Sequence, residues 1–104
     1  MTQFDVFVNP SPRSRAAYPF VFLVQSEWAT DGREQIVAPL ARRTDFAGSG
    51  QRLAPVVEID GSEYAALVPA LAVVPSRLLK SVVGSVLAER KALLAAIDYL
   101  FFGL

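Results

Sequence analysis

The last nineteen residues of the chain, 86–104, form the only long run with the apolar spacing that is typical of an amphipathic α-helix. Apolar side chains recur there at steps of three and four, and charged side chains occupy the other faces. Ala, Leu, Glu, Arg and Lys dominate the run, and all are strong helix formers. The run therefore predicts one C-terminal helix, whose core face is formed by Leu93, Ile97, Leu100, Phe101 and Leu104.

The end of this run is unusual. Phe102 follows Leu94 and Asp98 at successive steps of four, which places it in a row beside the apolar face. A helix that stops at Phe-Phe-Gly-Leu leaves a large ring near a free end. That ring either docks on its own chain or is offered to a partner, and periodicity alone slightly favours docking.

The chain before residue 86 is typical of short strands separated by turns. Alternating, β-branched and aromatic runs predict strands at 3–8, 18–24, 35–40, 55–59, 62–67 and 68–74. Asp60-Gly61 suits a type I′ hairpin turn. Pro39 predicts that the third strand bends or lies at an edge there. The polar segment 42–52 predicts a flexible loop, and residues 77–83 a short helical piece that ends near Gly84.

Several short strands followed by one helix predict a mainly β fold. We expect a small antiparallel sheet or barrel, with the helix on one side or over an open end. The chain shows no internal repeat and no linker, so residues 1–104 are predicted to form a single domain.

Composition narrows the function. The net charge is zero, so no general basic field favours nucleic acid, and without Cys or His the chain has neither thiol chemistry nor the commonest metal ligand. Hydrophobic residues make up 53% of the chain, which favours a dimer or a protein partner that covers apolar surface. The first residues lack the features of a signal peptide, and the most apolar run is too short for a membrane span. We therefore expect a soluble, cytoplasmic protein.

No arrangement of residues indicates catalysis. The carboxylates are scattered, although a phosphodiester site that combines Asp45 or Glu58 with arginines stays open. Those arginines are Arg13, Arg15, Arg42 and Arg43. A binding protein needs only an exposed aromatic side chain and few polar pairs. The single tryptophan, Trp28, follows the second predicted strand and fits equally a surface anchor or a core ring.

Five stretches, in this order along the chain, resemble the CcdB family of bacterial toxins. They are 3–7 (QFDVF), 22–27 (FLVQSE), 36–41 (IVAPLA), 55–59 (PVVEI) and 96–104 (AIDYLFFGL). The resemblance implies an SH3-like, largely antiparallel barrel with a C-terminal helix, as a homodimer without cofactor or metal. It also implies a toxin that binds the A subunit of DNA gyrase, traps the enzyme on cleaved DNA and catalyses nothing itself. Nucleic acid is then met only through gyrase, and a CcdA-like antitoxin folds on the toxin to neutralise it.

The resemblance also assigns residues. The gyrase-binding positions of the family fall on Phe102, Gly103, Leu104, Asp98, Ser26, Trp28 and Ala29. Phe102 stands where the family commonly has Trp, and Trp28 and Ala29 replace aliphatic residues. The antitoxin-facing segment falls on Arg42, Arg43, Asp45 and Phe46 but matches the family poorly, which indicates a different cognate antitoxin.

Two other functions stay open from the sequence. The barrel expected here is also that of Kid/MazF-type endoribonuclease toxins, so the fold alone does not separate the two activities. An inactive member with the shape of a toxin is the third interpretation.

Overall fold

The computed structural model describes residues 1–29 and 31–103. Its strands are β1 (Asp5–Val8), β2 (Phe20–Leu23), β3 (Glu34–Arg42), β4 (Val56–Ile59), β5 (Ser62–Ala66), β6 (Ala72–Pro75) and β7 (Gly84–Ser85), followed by the helix α1 (Arg90–Phe102). Short 3₁₀ turns lie at Glu27–Ala29, Arg43–Asp45, Ser76–Leu78 and Leu87–Glu89. The prediction of several short strands before one terminal helix is confirmed.

The strands form one antiparallel sheet that nearly closes into a barrel. The strand order is β4-β5-β3-β2-β1-β7, and β6 pairs with β3 beside β5. The two end strands approach each other, because a Cβ atom on Gly84 would lie 3.1 Å from Cγ2 of Ile59. Glycine at this position allows β7 to pack closely against β4. The predicted mainly β barrel with a C-terminal helix is therefore the observed fold.

Pro39 lies inside β3, between the residues that pair with β6 (34–37) and those that pair with β5 (40–42). The expectation that the strand bends or lies at an edge there is therefore met on this side of β3. The amide of Val24 donates to the carbonyl of Ile36, and Val21 pairs with Pro39 further along β2 and β3. Because hydrogen-bonded pairs alternate in an antiparallel ladder, the nitrogen of Pro39 points away from β2. On that side its carbonyl accepts the amide of Leu67 at 3.0 Å, just after β5 ends. The missing N–H of Pro39 therefore leaves few hydrogen bonds of the sheet unmade.

The hairpin between β4 and β5 confirms the clearest turn signal of the sequence. Asp60 has φ 51° and Gly61 has φ 82°, as both central residues of a type I′ turn require. Glu58 then faces Glu63 across the hairpin, and Ile59 faces Ser62.

Two predicted segments differ from the structure. Residues 42–52 are partly regular: Arg42 ends β3, a 3₁₀ turn follows, and the hydroxyl of Ser49 donates to the carbonyl of Phe46 at 2.7 Å. The predicted helical piece at 77–83 shrinks to the turn Ser76–Leu78. Beyond it the chain extends toward β1, where the amide of Val83 donates to the carbonyl of Val6. β-branched residues pair with a strand more readily than they continue a helix.

The main core lies between the inner face of the sheet and α1. Leu93 and Ala96 are fully buried there, with Ile97 and Leu100 packed beside them. Phe101, predicted on this face, is instead 58% exposed. At 3.6 residues per turn it lies about 80° round the helix from Leu93, beyond the edge of the buried stripe. Leu104, predicted on the same face, lies outside the described residues.

Candidate protein-binding surface at the helix end

The last turn of α1 presents two aromatic rings to solvent. Phe102 is 71% exposed and Phe101 is 58% exposed. Their ring centroids are 6.5 Å apart and the ring planes are tilted by 55°. Aromatic side chains at an exposed helix end are the type of group that fills a pocket on another protein. The structure thus places Phe102 on the surface, against the slight preference of periodicity for docking.

Gly103 ends the helix in the left-handed conformation. Its φ is 71°, and its amide donates to the carbonyl of Tyr99 at 3.0 Å. This is a helix cap for which glycine is preferred, since other L-residues are strained at positive φ. No atom lies within 4 Å of a Cβ built at this position, so backbone conformation, and not space, favours glycine here.

One contact holds the helix end from the side. The guanidinium carbon of Arg52 lies 3.9 Å from the centre of the Tyr99 ring, which is a cation–π geometry. Asp98 is exposed one turn before Phe102 and lies in the same row of the helix. Leu104, predicted to belong to this surface, is not among the described residues.

The predicted loop residues lie on a short 3₁₀ turn. Trp28 is 89% exposed, which answers the question that the sequence leaves open about this ring. Ala29 is also exposed, and its amide donates to the carbonyl of the half-buried Ser26 at 3.1 Å. This turn is a second exposed aromatic site, built on a loop and not on the helix.

Asp31 and Arg33, which follow Trp28 in the chain, form an ion pair. The amide of Arg33 donates to Asp31 at 3.0 Å, and its guanidinium donates at 2.8 and 3.0 Å. These bonds, the amide first, lower the pKa of the Asp31 carboxyl from its usual value. A lowered pKa makes the contact favourable above the unfolded pKa, and the contact is lost as the pH falls through the folded pKa.

A network of amide side chains supports the loop and was missed by the sequence analysis. Gln35 is 4% exposed, accepts from Gln25 and donates to the hydroxyl of Ser76 at 3.0 Å. Gln25 also accepts the amide of Ile36. A glutamine at an inward position of β3 is the only signal that the sequence offers for this network.

The two exposed aromatic sites are held by different parts of the fold. Trp28 belongs to the 3₁₀ turn Glu27–Ala29, whose neighbours Gln25 and Gln35 are tied to Ser76, whereas Phe102 belongs to the last turn of α1. The predicted binding residues therefore come from two separate elements.

The predicted antitoxin-facing residues lie together at the end of β3. Arg42 is 3.9 Å from Asp45, and Arg43 forms an ion pair of 2.6 Å with Glu63 on β5. Phe46 is half-buried against a cluster of Ala41, Ala54, Ala65 and Leu67. The segment is therefore an ordered surface with both charged and apolar parts.

No group of three or more Asp or Glu side chains within residues 1–29 and 31–103 is placed to hold a metal ion. In the same part of the chain, no helix has the length and apolar character to cross a bilayer.

Comparison with known proteins identifies the family. The family model described as CcdB protein matches residues 3–103, which is almost the whole chain. The chain belongs to the CcdB family. This confirms the resemblance carried by the five sequence stretches, and membership implies a toxin of a toxin–antitoxin module. Comparison with curated proteins gives no match.

Proposed function

We propose that this CcdB-family toxin binds the A subunit of bacterial DNA gyrase and traps the enzyme on cleaved DNA. The observation that carries the proposal is the 71% exposure of Phe102 at the end of a helix whose Leu93 and Ala96 are fully buried. In this proposal Phe102, Gly103, Leu104 and Asp98 bind gyrase, with Ser26, Trp28 and Ala29 as a supporting patch. The toxin acts in the bacterial cytoplasm by binding, without catalysis of its own.

The chemistry of the helix end suits a protein partner. A buried aromatic anchor commonly contributes at least about 2 kcal/mol to a protein interface. An arginine of gyrase over the ring of Phe102 adds about 0.5–2 kcal/mol through a cation–π contact. Phe in place of the more common Trp keeps the stacking ring and gives up the indole N–H.

An exposed apolar pair supports a homodimer. Ile36 on β3 and Val73 on β6 are directly paired, so their side chains share one face of the sheet. They are 38% and 60% exposed, although both are large apolar side chains on regular strands. A second copy of the chain covers this surface in our proposal.

The antitoxin binds the segment of Arg42, Arg43, Asp45 and Phe46 in this proposal. The arginines supply charge-assisted hydrogen bonds for carboxylates, and the half-buried ring of Phe46 supplies apolar contact. A CcdA-like antitoxin segment that is disordered when free gains its contacts on folding over such a surface.

The decisive experiment mixes the purified toxin with gyrase and supercoiled DNA. We expect cleaved DNA to accumulate after the protein is removed. Phe102→Ala should need at least about 30-fold more protein for the same cleavage, which corresponds to about 2 kcal/mol of lost binding. Phe102→Trp should restore cleavage. Val82→Ala, at an exposed apolar position that is not among the predicted binding residues, is the matched surface control.

Absence of cleaved DNA with the gyrase of the native host, at saturating toxin, would rule out gyrase poisoning. Equal cleavage by the wild type and Phe102→Ala would instead remove the helix end from the site. Single-stranded RNA is incubated in parallel, and its degradation by purified toxin would favour the endoribonuclease activity.

A further inference from the structure

The two end strands of the sheet, β4 and β7, meet without pairing. They are the first and the last in the strand order, and no ladder joins them in the part of the chain that the structure describes. They are nevertheless close, since a Cβ atom on Gly84 would lie 3.1 Å from Cγ2 of Ile59. We call this gap between β4 and β7 the seam. Side-chain contacts, and not a backbone ladder, hold the barrel closed there.

The register of the β4–β5 hairpin turns the amide of Glu58 toward the seam. The amide of Ala66 donates to the carbonyl of Pro55 at 2.9 Å, so these two residues form a hydrogen-bonded pair. Such pairs recur at every second position of an antiparallel ladder, so Glu58 faces Glu63 without exchanging backbone bonds. The amide of Glu58 therefore points away from β5 and needs an acceptor on the other side.

Glu89 supplies this acceptor. It ends the 3₁₀ turn Leu87–Glu89, directly before α1, and its Oε1 accepts the amide of Glu58 at 3.1 Å. Its Oε2 is buried and has no hydrogen-bond partner among the described residues. Within residues 1–29 and 31–103, no ion pair includes Glu89. One carboxylate thus bridges the seam with one oxygen and leaves the other unsatisfied.

The closed arrangement carries a free-energy cost. A buried carboxylate oxygen without a partner loses its hydration and finds no replacement hydrogen bond. Glu89 is also the N-cap residue of α1, yet its side chain makes no hydrogen bond to the helix. A rotation of this side chain away from β4 would bring both oxygens to water. The charge would stay near the N-terminus of α1, where the helix dipole favours a negative group.

We propose that Glu89 is a latch with two positions, closed on the amide of Glu58 and open in water, and that the barrel opens locally at the seam when the latch is released. The opening is confined to one end of the sheet, because β2 stays paired with β1 and β3. It exposes the outer edge of β4 to solvent. This device does not depend on gyrase binding, and gyrase is not needed to test it.

Native-state hydrogen exchange on the ¹⁵N-labelled full chain measures the opening. The amide of Glu58 should be protected at least about 10-fold less than the amides of β2, because it is released by a local opening. Its exchange should also respond less to low concentrations of guanidinium chloride, since a local opening exposes little surface. Equal denaturant dependence at Glu58 and in β2 would mean that Glu58 is released only by global unfolding, and the latch would be excluded.

Two substitutions separate the latch from an ordinary hydrogen bond. Glu89→Ala removes the acceptor and should speed the exchange of the Glu58 amide at least about 10-fold. Glu89→Gln keeps an acceptor oxygen but removes the buried charge, so the closed position becomes more favourable and exchange should slow at least about 3-fold. Glu27→Ala removes an equal charge from another 3₁₀ turn and should leave the exchange of Glu58 unchanged.

The order of the two variants is decisive. An ordinary charge-assisted hydrogen bond is weakened when a neutral amide replaces the carboxylate, so Glu89→Gln would then speed exchange. Faster exchange in Glu89→Gln than in the wild type, or unchanged exchange in Glu89→Ala, would overturn the proposal. Circular dichroism melting checks that each variant is folded at the temperature of the measurement.

A disulfide across the seam tests the opening within one molecule. The chain has no cysteine, so Ile59→Cys together with Gly84→Cys introduces a single pair. The close approach of these positions brings two Cβ atoms within reach of a disulfide. In the oxidised form the amide of Glu58 should exchange as slowly as those of β2, and reduction should restore fast exchange. Identical exchange in the two forms would contradict the proposal; if this variant does not fold, the two Glu89 variants decide.

Discussion

The middle and the end of α1 have opposite environments although their sequences are similarly apolar. Leu93 and Ala96 are fully buried against the sheet, whereas Phe101 and Phe102 are mostly exposed. The helix is thus held by its middle, and its last turn projects from that support. Apolar residues two turns apart on α1 therefore lie in different environments, one set in the core and the other on the surface.

Three substitutions test this contrast, and they are ordered by their expected effect on the free energy of unfolding. Leu93→Ala should lower it by about 2–5 kcal/mol, because the side chain fills the core and its removal leaves a cavity. Denaturant unfolding at a fixed protein concentration measures the change. Leu87→Ala, at a half-exposed position, should change it by less than about 0.5 kcal/mol. Similar losses in the two variants would mean that the middle of α1 is not the support.

Arg52→Gln tests the contact between Arg52 and Tyr99 in the last turn of α1. It removes the cation over the Tyr99 ring and should lower the free energy of unfolding by about 0.5–1 kcal/mol. Arg77→Gln removes an equal charge from an exposed turn and is the control. The near-ultraviolet circular dichroism of the tyrosines should change only in Arg52→Gln, and an identical change in both variants would contradict the role of the contact.

Phe102→Ala should change the free energy of unfolding by no more than about 0.5 kcal/mol, because the ring is mostly exposed. The same variant should lose growth inhibition in the native host. Phe101→Ala is the neighbouring control and should change the free energy of unfolding equally little, because its ring is also mostly exposed. A large loss of stability in Phe102→Ala, with growth inhibition retained, would return this ring to the core.

The sequence predicted most of the fold because its local signals agree with its long-range packing. Asp60-Gly61 demands positive φ at two positions, and few structures other than a hairpin use it. Pro39 indicated a local edge of the sheet, but the sequence did not show on which side of β3 that edge lies. That side is set by the register with β2, which no local pattern reveals.

The surface was predictable in part. The row of Asp98 and Phe102 follows from helical spacing alone, but that spacing slightly favoured docking of the Phe102 ring, which is exposed. The sequence did not decide whether Trp28 is exposed or buried, because a tryptophan in a polar loop fits both the surface and the core. The amide network of Gln25, Gln35 and Ser76 was missed, because it arises where distant segments of the chain meet.

The pairing of β1 with β7 has a consequence for the synthesis of this toxin. Asp5 on β1 pairs with Ser85 on β7, so β1 is synthesised well before the strand with which it pairs. At about 5–20 residues per second, the intervening 80 positions (85 − 5) take the ribosome roughly 4–16 s. Until β7 has been synthesised, β1 lacks this partner strand, the barrel stays open there and α1 has not yet been made.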